Sequence, residues 1–179
     1  MRRTIVALVA MVSLVSVPAF AEEFGNYAMV KLGVYSPRSY FLTGGGFSNA
    51  FDGEVALGHY FTPNVASEVG LGYFKTTHES DQITVVPLTL TGKGILPLDS
   101  AELYIGAGIG AYFASSELGG VSYNDTALGW QLLTGGNFNV MPNMFLGAEI
   151  RYIWVKPSFG SYESKCDGMT ATANIGVRF

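Results

Sequence analysis

The chain has 179 residues, of which 49% are hydrophobic and only 13% are charged. Soluble domains average about 25% charged residues, so this composition leaves little charge for an ordinary water-facing surface. The formal net charge of −4 also argues against nucleic acid as a partner, because proteins that bind it carry a basic patch.

The first 21 residues have the three parts of a secretory signal peptide. Arg2 and Arg3 supply a positive start, residues 5–17 form an apolar run, and Ala19-Phe20-Ala21 is a small-x-small cleavage site. The run is too short to span a bilayer as a helix. We therefore expect residues 1–21 to be cleaved and residues 22–179 to form one exported domain. The alternative is a retained amphipathic helix.

Eight segments of the exported domain alternate apolar and polar residues, which is the pattern of a β-strand. The last segment is the most regular, with apolar side chains at every odd position from Met169 to Phe179. Each segment is near the roughly 9–11 residues that a tilted strand needs to cross a membrane. The segments are 26–36, 50–61, 65–75, 83–96, 102–114, 126–139, 144–155 and 169–179.

The connections between these segments are of two alternating kinds. Those at 62–64, 97–101 and 141–143 are short and carry Pro and Asn, as tight turns do, whereas those at 37–49, 76–82, 115–125 and 156–168 are longer. Such alternation is typical of outer-membrane barrels, whose short turns face the periplasm. The sequence therefore predicts an all-β, eight-stranded antiparallel up-and-down transmembrane β-barrel in the cell outer membrane, with both termini periplasmic.

One face of the predicted strands carries no charge. This matters because Arg or Lys costs roughly 2–4 kcal/mol at the midplane of a barrel's lipid-facing side. The face comprises Ala28, Val30, Leu32, Val34, Val55, Leu57, Val69, Leu71, Val86, Leu88, Leu90, Leu103, Ile105, Ala107, Ile109, Leu128, Trp130, Leu132, Leu146, Ala148 and Ile150. We predict that it meets lipid.

Aromatic residues gather near the strand ends, where they would form the interfacial girdles of a membrane barrel. They are Tyr60, Phe61, Tyr73, Phe74, Tyr112, Phe113, Tyr152, Trp154 and Phe179. The alternative is that they form the aromatic core of a soluble barrel, because alternation alone does not tell which face is dry.

The opposite face carries four cations and four anions. They are Lys31, Glu54, Glu68, Lys93, Glu102, Glu149, Arg151 and Arg178. Polar residues such as Thr91, Tyr104, Gln131 and Asn174 and glycines such as Gly70 and Gly108 share this face, and Leu133 and Val85 are its large apolar members. A barrel of about eight strands is only wide enough to be filled by side chains.

Charges in so narrow a space have to be paired, because breaking a buried pair typically costs about 3–5 kcal/mol. Folding the hairpins predicts that Lys93 lies beside Glu102 and Lys31 near Glu54, with Glu149 and Arg151 facing the same way. We expect this ion network to plug the lumen. A slip of one residue in register would reverse every assignment.

Several stretches resemble a known family. Gly58-His59-Tyr60-Phe61-Thr62-Pro63-Asn64 followed by 65–73, then 86–91 and 103–110, are similar to successive strands of the small outer-membrane β-barrel superfamily, which includes the membrane domain of outer-membrane protein A and outer-membrane proteins W and X. The final Gly176-Val177-Arg178-Phe179 looks like the signal read by the barrel-assembly machinery. The resemblance covers nearly the whole exported domain and implies contact with outer-membrane lipid and lipopolysaccharide, but it does not fix an activity.

Four functions remain open. The first is a non-enzymatic envelope protein with a structural or surface-interaction role, whose loops face the exterior. The second is a narrow channel for small or hydrophobic solutes, which relatives of outer-membrane protein W suggest. The third is a lipid A-modifying enzyme, which would need a Ser or Asp with a His, and His78, Ser80 and Asp81 lie together in a predicted outer loop. The fourth is a soluble lipocalin-like carrier, which would need an apolar lumen.

The sequence predicts no cofactor and no metal site, because its two His and one Cys are scattered without ligand spacing. The single Cys166 has no partner for an internal disulfide and is interpreted as a free loop thiol, with an intermolecular bridge as the alternative.

Overall fold

The computed structural model describes residues 25–37, 49–78, 81–118, 121–155, 158–159, 162–163 and 167–179. The predicted signal peptide, Ser80, Cys166 and most of the first long connection lie outside these residues. So do the side chains of His78 and Asp81. Within the described part, the chain has no helix long and apolar enough to cross a membrane.

Eight strands close into an antiparallel barrel, as the alternation predicts. They are β1 (Asn26–Pro37), β2 (Ala50–Thr62), β3 (Val65–His78), β4 (Asp81–Pro97), β5 (Ala101–Leu118), β6 (Val121–Met141), β7 (Met144–Val155) and β10 (Gly168–Arg178). Each strand pairs with its neighbours in sequence, and β1 pairs with β10 to close the sheet. Two short strands, β8 (Ser158–Phe159) and β9 (Tyr162–Glu163), pair with each other between β7 and β10.

The strands are staggered around the barrel. If the register partner of Val30 is followed from strand to strand through β2, β3, β4 and β5, the series ends at Leu128 of β6. In the other direction, through β10 and β7, the series ends at Phe138, which lies ten residues further along β6. Closing a sheet with such a stagger requires tilted strands. The tilt brings residues from distant parts of the sequence to the same height in the lumen.

Two of the predicted longer loops are wrong. β3 and β4 continue to His78 and Asp81, and β5 and β6 continue to Leu118 and Val121, so only two residues separate the strands of each pair. The polar residues at 76–82 and 115–125 were interpreted as loops. A strand that projects beyond the membrane has no apolar face to bury, so its residues can be polar although the chain is still paired as a strand. The Gly-Gly pair at 119–120 is itself a strong signal for a two-residue hairpin.

The inside-out arrangement of the faces is confirmed. Large apolar side chains on the predicted outer face are exposed, with Ile105 70% and Leu128 85% accessible, whereas Lys31 is 0% accessible. No residue of the predicted apolar face is charged. The exposed apolar belt therefore encloses the charged side chains, which in a soluble barrel would face the solvent.

The aromatic prediction is correct for only one residue of each adjacent pair. Tyr73 and Phe113 are exposed on the outer face, but Phe74 and Tyr112 are buried in the lumen. The reason is geometric, because consecutive side chains of a strand point to opposite faces. On the β6–β7 outer face, Trp130 stacks on Trp154 with ring centroids 4.7 Å apart, and the Tyr152 ring is tilted against Trp154 with centroids 4.4 Å apart.

Candidate functional site

A layer of charged side chains crosses the lumen at mid-height. Three cations face three carboxylates, all at most 6% accessible. They are Lys31, Lys93, Arg151, Glu54, Glu68 and Glu149, contributed by five of the eight strands. We call these six residues the charged layer.

Lys31 lies at the centre of the charged layer. Its Nζ is 2.9 Å from Glu54 Oε1, 2.7 Å from Glu68 Oε1 and 3.1 Å from Glu149 Oε1. These carboxylates come from β2, β3 and β7, so one ammonium group links three strands through its three N–H donors. The predicted proximity of Lys31 and Glu54 is confirmed, and the two residues are also directly paired in the β1–β2 register.

The other two cations complete the layer from opposite sides. Lys93 Nζ lies 2.5 Å from Glu68 Oε2 and 3.6 Å from Glu149 Oε2, and 4.4 Å from the centroid of the Tyr104 ring. Arg151 donates to both oxygens of Glu54 at 2.6 and 2.9 Å and to Glu149 Oε1 at 2.7 Å. Each carboxylate therefore contacts at least two cations.

The predicted pair of Lys93 and Glu102 is wrong. Lys93 is paired in register with Gly106 and reaches Glu68 and Glu149 instead. Glu102 lies nearer the chain termini, where its Oε1 accepts hydrogen bonds from Arg178 Nη2 at 3.0 Å and Tyr60 Oη at 2.8 Å. Glu102 is paired in register with Pro97, four residues nearer the β4–β5 turn than Lys93, so Lys93 and Glu102 lie at different heights in the lumen.

Arg178 and Glu102 belong to a second polar cluster at the terminal end of the lumen. Arg178 also donates to Asn139 Oδ1 at 2.7 Å and lies over the Phe145 ring, with its guanidinium carbon 4.7 Å from the centroid. Asn137 donates to Glu102 Oε1 at 2.9 Å. The eight predicted lumen charges are thus divided into a group of six and a group of two.

Apolar side chains pack on both sides of the charged layer. One cluster lies towards the end of the barrel that carries the β3–β4 and β5–β6 hairpins, which we call the hairpin end. It comprises Tyr35, Ala50, Phe74, Val85, Tyr112, Ala114, Ala127, Ile153 and Val155. Towards the terminal end lie Tyr27, Met29, Ala56, Ala66, Ile95, Tyr104, Leu133 and Phe145. The interior is therefore more apolar than the sequence indicated, since only Leu133 and Val85 had been assigned to it as large apolar residues.

Two tyrosines join the apolar side chains to the charged layer. Tyr27 Oη donates to Glu68 Oε2 at 2.9 Å, and Tyr104 Oη donates to Glu149 Oε2 at 3.1 Å. Tyr27 was missed in the sequence, although it alternates with Met29 and Lys31 on the same face of β1. Hydrogen bonds to charged groups are among the stronger ones, so these phenols help to satisfy the carboxylates.

Glycines make room for the lumen rings. A Cβ at Gly58 would collide with the Tyr27 ring, and one at Gly176 would collide with the Phe145 ring. Close approach therefore requires glycine at both positions. Large side chains therefore fill the described part of the lumen.

A family model for the outer membrane protein beta-barrel domain matches residues 7–179. The chain belongs to this family. Membership of this family places the protein in the outer membrane.

Among the described residues, no group of His, Cys, Asp and Glu is suited to holding a metal ion.

Solved structures of outer-membrane barrels resemble this family member. Neisserial surface protein A is 21% identical with a TM-score of 0.59, over 87% of this chain and 95% of that one. Ail of Yersinia pestis, crystallised with a heparin analogue, is 16% identical with a TM-score of 0.58, over 87% and 97%. OprG of Pseudomonas aeruginosa is 10% identical with a TM-score of 0.56, over 87% and 96%. At these identities the likeness shows the fold alone.

A comparison with curated proteins gave no match.

Proposed function

We propose that the protein is a non-enzymatic, non-conducting barrel of the outer membrane, with its termini in the periplasm and its projecting hairpins on the cell surface. Its role is structural or lies in surface interaction through those hairpins. Its surroundings are outer-membrane lipid and lipopolysaccharide, and the barrel-assembly machinery inserts it.

The observation that carries this proposal is the charged layer between two apolar clusters. Lys31 contacts carboxylates from three strands and is 0% accessible. A hydrated ion passing the lumen would have to break several of these contacts at once, and breaking even one buried pair costs about 3–5 kcal/mol. This supports a closed lumen over a solute channel.

Single-channel recording in planar bilayers tests the closed lumen. We expect the wild-type barrel to show no sustained conductance. The double variant Glu54→Ala/Arg151→Ala removes one anion and one cation, leaves the net charge of the charged layer unchanged and should open a conducting path. The matched control, Val55→Ala/Ile150→Ala, truncates the neighbouring outward residues and should stay closed. A large, steady wild-type conductance would favour the channel and overturn the proposal.

Cysteine labelling tests the orientation. In a Cys166→Ser background, Asn124→Cys lies near the hairpin end and Ser100→Cys lies in the β4–β5 turn. A membrane-impermeant maleimide added to intact cells should label the first position and spare the second. Labelling of Ser100→Cys alone would mean that the barrel is inserted the other way round.

A further inference from the structure

One buried acidic side chain of the lumen lies outside the charged layer. Asp52 is 7% accessible, and it is the only buried charged residue of the described chain besides the six of that layer. Within the described part it forms no ion pair and no hydrogen bond. Arg151 attracts it most strongly, but Arg151 donates to Glu54 and Glu149 instead. Three cations and four carboxylates are thus buried together, and a buried charge without a counter-ion is costly.

Asp52 lies one inward position above the bidentate pair of Arg151 and Glu54, on the side of the hairpin end. On β2 it precedes Glu54 by two residues and shares its face. On β6, Gln131 is paired in register with Ile153, which lies two residues beyond Arg151 on β7. Because Arg151 and Glu54 contact each other, Asp52 and Gln131 lie at similar heights in the lumen.

Three buried polar atoms near this height have no hydrogen-bond partner. They are Gln131 Oε1, Tyr112 Oη and Arg151 Nε. The fourth such atom among the described side chains, Asn137 Oδ1, belongs to the terminal end of the lumen. Gln131 donates from Nε2 to Thr91 Oγ1 at 2.8 Å, which leaves Oε1, on the other branch of the amide, facing away from Thr91.

The phenol of Tyr112 reaches the same space from the hairpin end. Its ring lies against Gly110 and Gly129, where an added Cβ would be 3.1 and 2.8 Å from Tyr112 Cε2. Asp52 is among the three charged groups that act on this phenol electrostatically. The Tyr112 hydroxyl group and the Asp52 carboxylate therefore face one polar space between the charged layer and the apolar cluster of the hairpin end.

The oxygens around this space fit a small cation. Asp52 offers a carboxylate, Gln131 a carbonyl oxygen and Tyr112 a hydroxyl oxygen, and hard cations prefer oxygen ligands. One positive charge would balance the buried charges, whereas a divalent ion would leave an excess. A proton on Asp52 would also neutralise it, but a single O–H cannot serve both other oxygens. Arg151 Nε is a donor, so it fits a water molecule in the shell of the ion.

We propose that the lumen holds one small monovalent cation, of the size of sodium or potassium, between Asp52, Gln131 and Tyr112. Water completes its coordination shell. The ion enters from the hairpin end, since Asp52 lies on that side of the charged layer and is the most accessible of the buried charged residues. This site goes beyond the proposed function, and it depends neither on conductance nor on orientation.

Reversible urea unfolding in detergent micelles tests the site. Sodium, and in a second series potassium, replaces the bulky cation N-methylglucamine at constant ionic strength and at a pH of about 8, where a solvated carboxyl group is ionised. An ion that binds only the folded state raises the folded population in proportion to its concentration. A tenfold rise in the small cation above half-saturation should therefore raise the folded-to-unfolded ratio about tenfold.

Asp52→Asn should abolish this dependence, because it removes the charge and keeps the shape of the side chain. Asp99→Asn is the matched control, since Asp99 is an exposed carboxylate in the β4–β5 turn, and it should keep the dependence. A wild-type barrel that responds to neither ion would overturn the proposal. A dependence that is equally strong in the Asp52→Asn variant would also do so, because the ion would then bind elsewhere.

Tyr112→Phe distinguishes an ion ligand from a packing residue. It removes an oxygen that has no protein partner, so packing alone predicts unchanged or greater stability. With the ion bound, it should raise the cation concentration of half-saturation about tenfold, as expected for one lost interaction with a charged group. Tyr73→Phe removes a hydroxyl group from the exposed outer face and should leave the half-saturation unchanged.

A crystal grown in rubidium chloride locates the ion directly. Rubidium is a monovalent cation with a measurable anomalous signal, and we expect one anomalous peak in contact with the Asp52 carboxylate. The same crystals of the Asp52→Asn variant should lack it. A lumen peak at any other place would overturn the proposal.

Discussion

Arg151 holds Glu54 by two parallel hydrogen bonds, from Nη1 to Oε2 at 2.6 Å and from Nη2 to Oε1 at 2.9 Å. The two residues lie on β7 and β2, which are separated in the barrel by β10 and β1. A side-chain contact thus ties strands that the sheet itself does not pair. Bidentate geometry of this kind is specific to Arg, because Lys presents a point charge on a flexible stem.

Removal of either partner should destabilise the barrel. Arg151→Met and Glu54→Gln should each cost about 3–5 kcal/mol, because each leaves an opposite charge buried with fewer partners. The double variant should cost clearly less than the sum of the two. Reversible urea unfolding in lipid vesicles measures all three free energies. Strictly additive costs would show that the pair is not coupled.

A methyl group at Gly176 should disturb the terminal half of the lumen. Gly176→Ala places its Cβ against the Phe145 ring, which is 0% accessible. Overpacking of this kind costs about 1–3 kcal/mol. Phe145→Leu should be tolerated better in the Gly176→Ala background than in the wild type. The control is Gly94→Ala, whose Cβ would meet no atom within 4 Å. The prediction would be contradicted if the two alanine variants had the same unfolding free energy.

Charge on the outer face should be penalised according to depth. Ile105→Arg lies within the exposed apolar belt and should lower the unfolding free energy by about 2–4 kcal/mol in vesicles. Leu96→Arg lies beside the β4–β5 turn and should cost about 0–1 kcal/mol. Repeating both measurements in detergent micelles, which adapt to the surface, should narrow the difference. Equal costs in vesicles would mean that the belt is misplaced.

Phe179 should matter for assembly more than for stability. Its side chain is 70% accessible, and its backbone N–H and C=O are both bonded to Asn26. Phe179→Ser should therefore change the unfolding free energy by only about 0.5 kcal/mol, as at most surface sites. In cells it should reduce the folded, heat-modifiable form. Phe61→Ser, an exposed aromatic of β2, is the control and should assemble normally.

Strand alternation was enough to predict the barrel and to separate its two faces, because a period of two is a local property of the chain. The contact between Lys31 and Glu54 could also be predicted, since the two lie on adjacent strands and are paired directly. Lys93 could not be placed in the same way. Its partners Glu68 and Glu149 are set by strand stagger and by reach across the lumen, and neither is visible in local sequence.

Adjacent aromatic residues show a second limit. In Tyr73-Phe74 and Tyr112-Phe113, alternation from the outward Leu71 and Ile109 indicates which ring is inside, but it does not say whether the lumen has room for that ring. The room depends on glycines that lie near the inner ring. A Cβ at Gly129, for example, would lie 2.8 Å from Tyr112 Cε2. Such complementarity joins residues of different strands and emerges only when the register is known.

The three-way contact of Lys31 has a consequence for how the barrel reaches its final state. Glu149 is on β7 and Lys31 is on β1, and the intervening β10 is the last strand of the chain. A half-inserted sheet would therefore present incompletely paired charges to the bilayer, because the contacts of Glu149 with Lys31 and Lys93 and of Arg151 with Glu54 join β7 to the first four strands. Insertion and closure are thereby made interdependent, and an open intermediate inside the membrane is disfavoured by its own electrostatics.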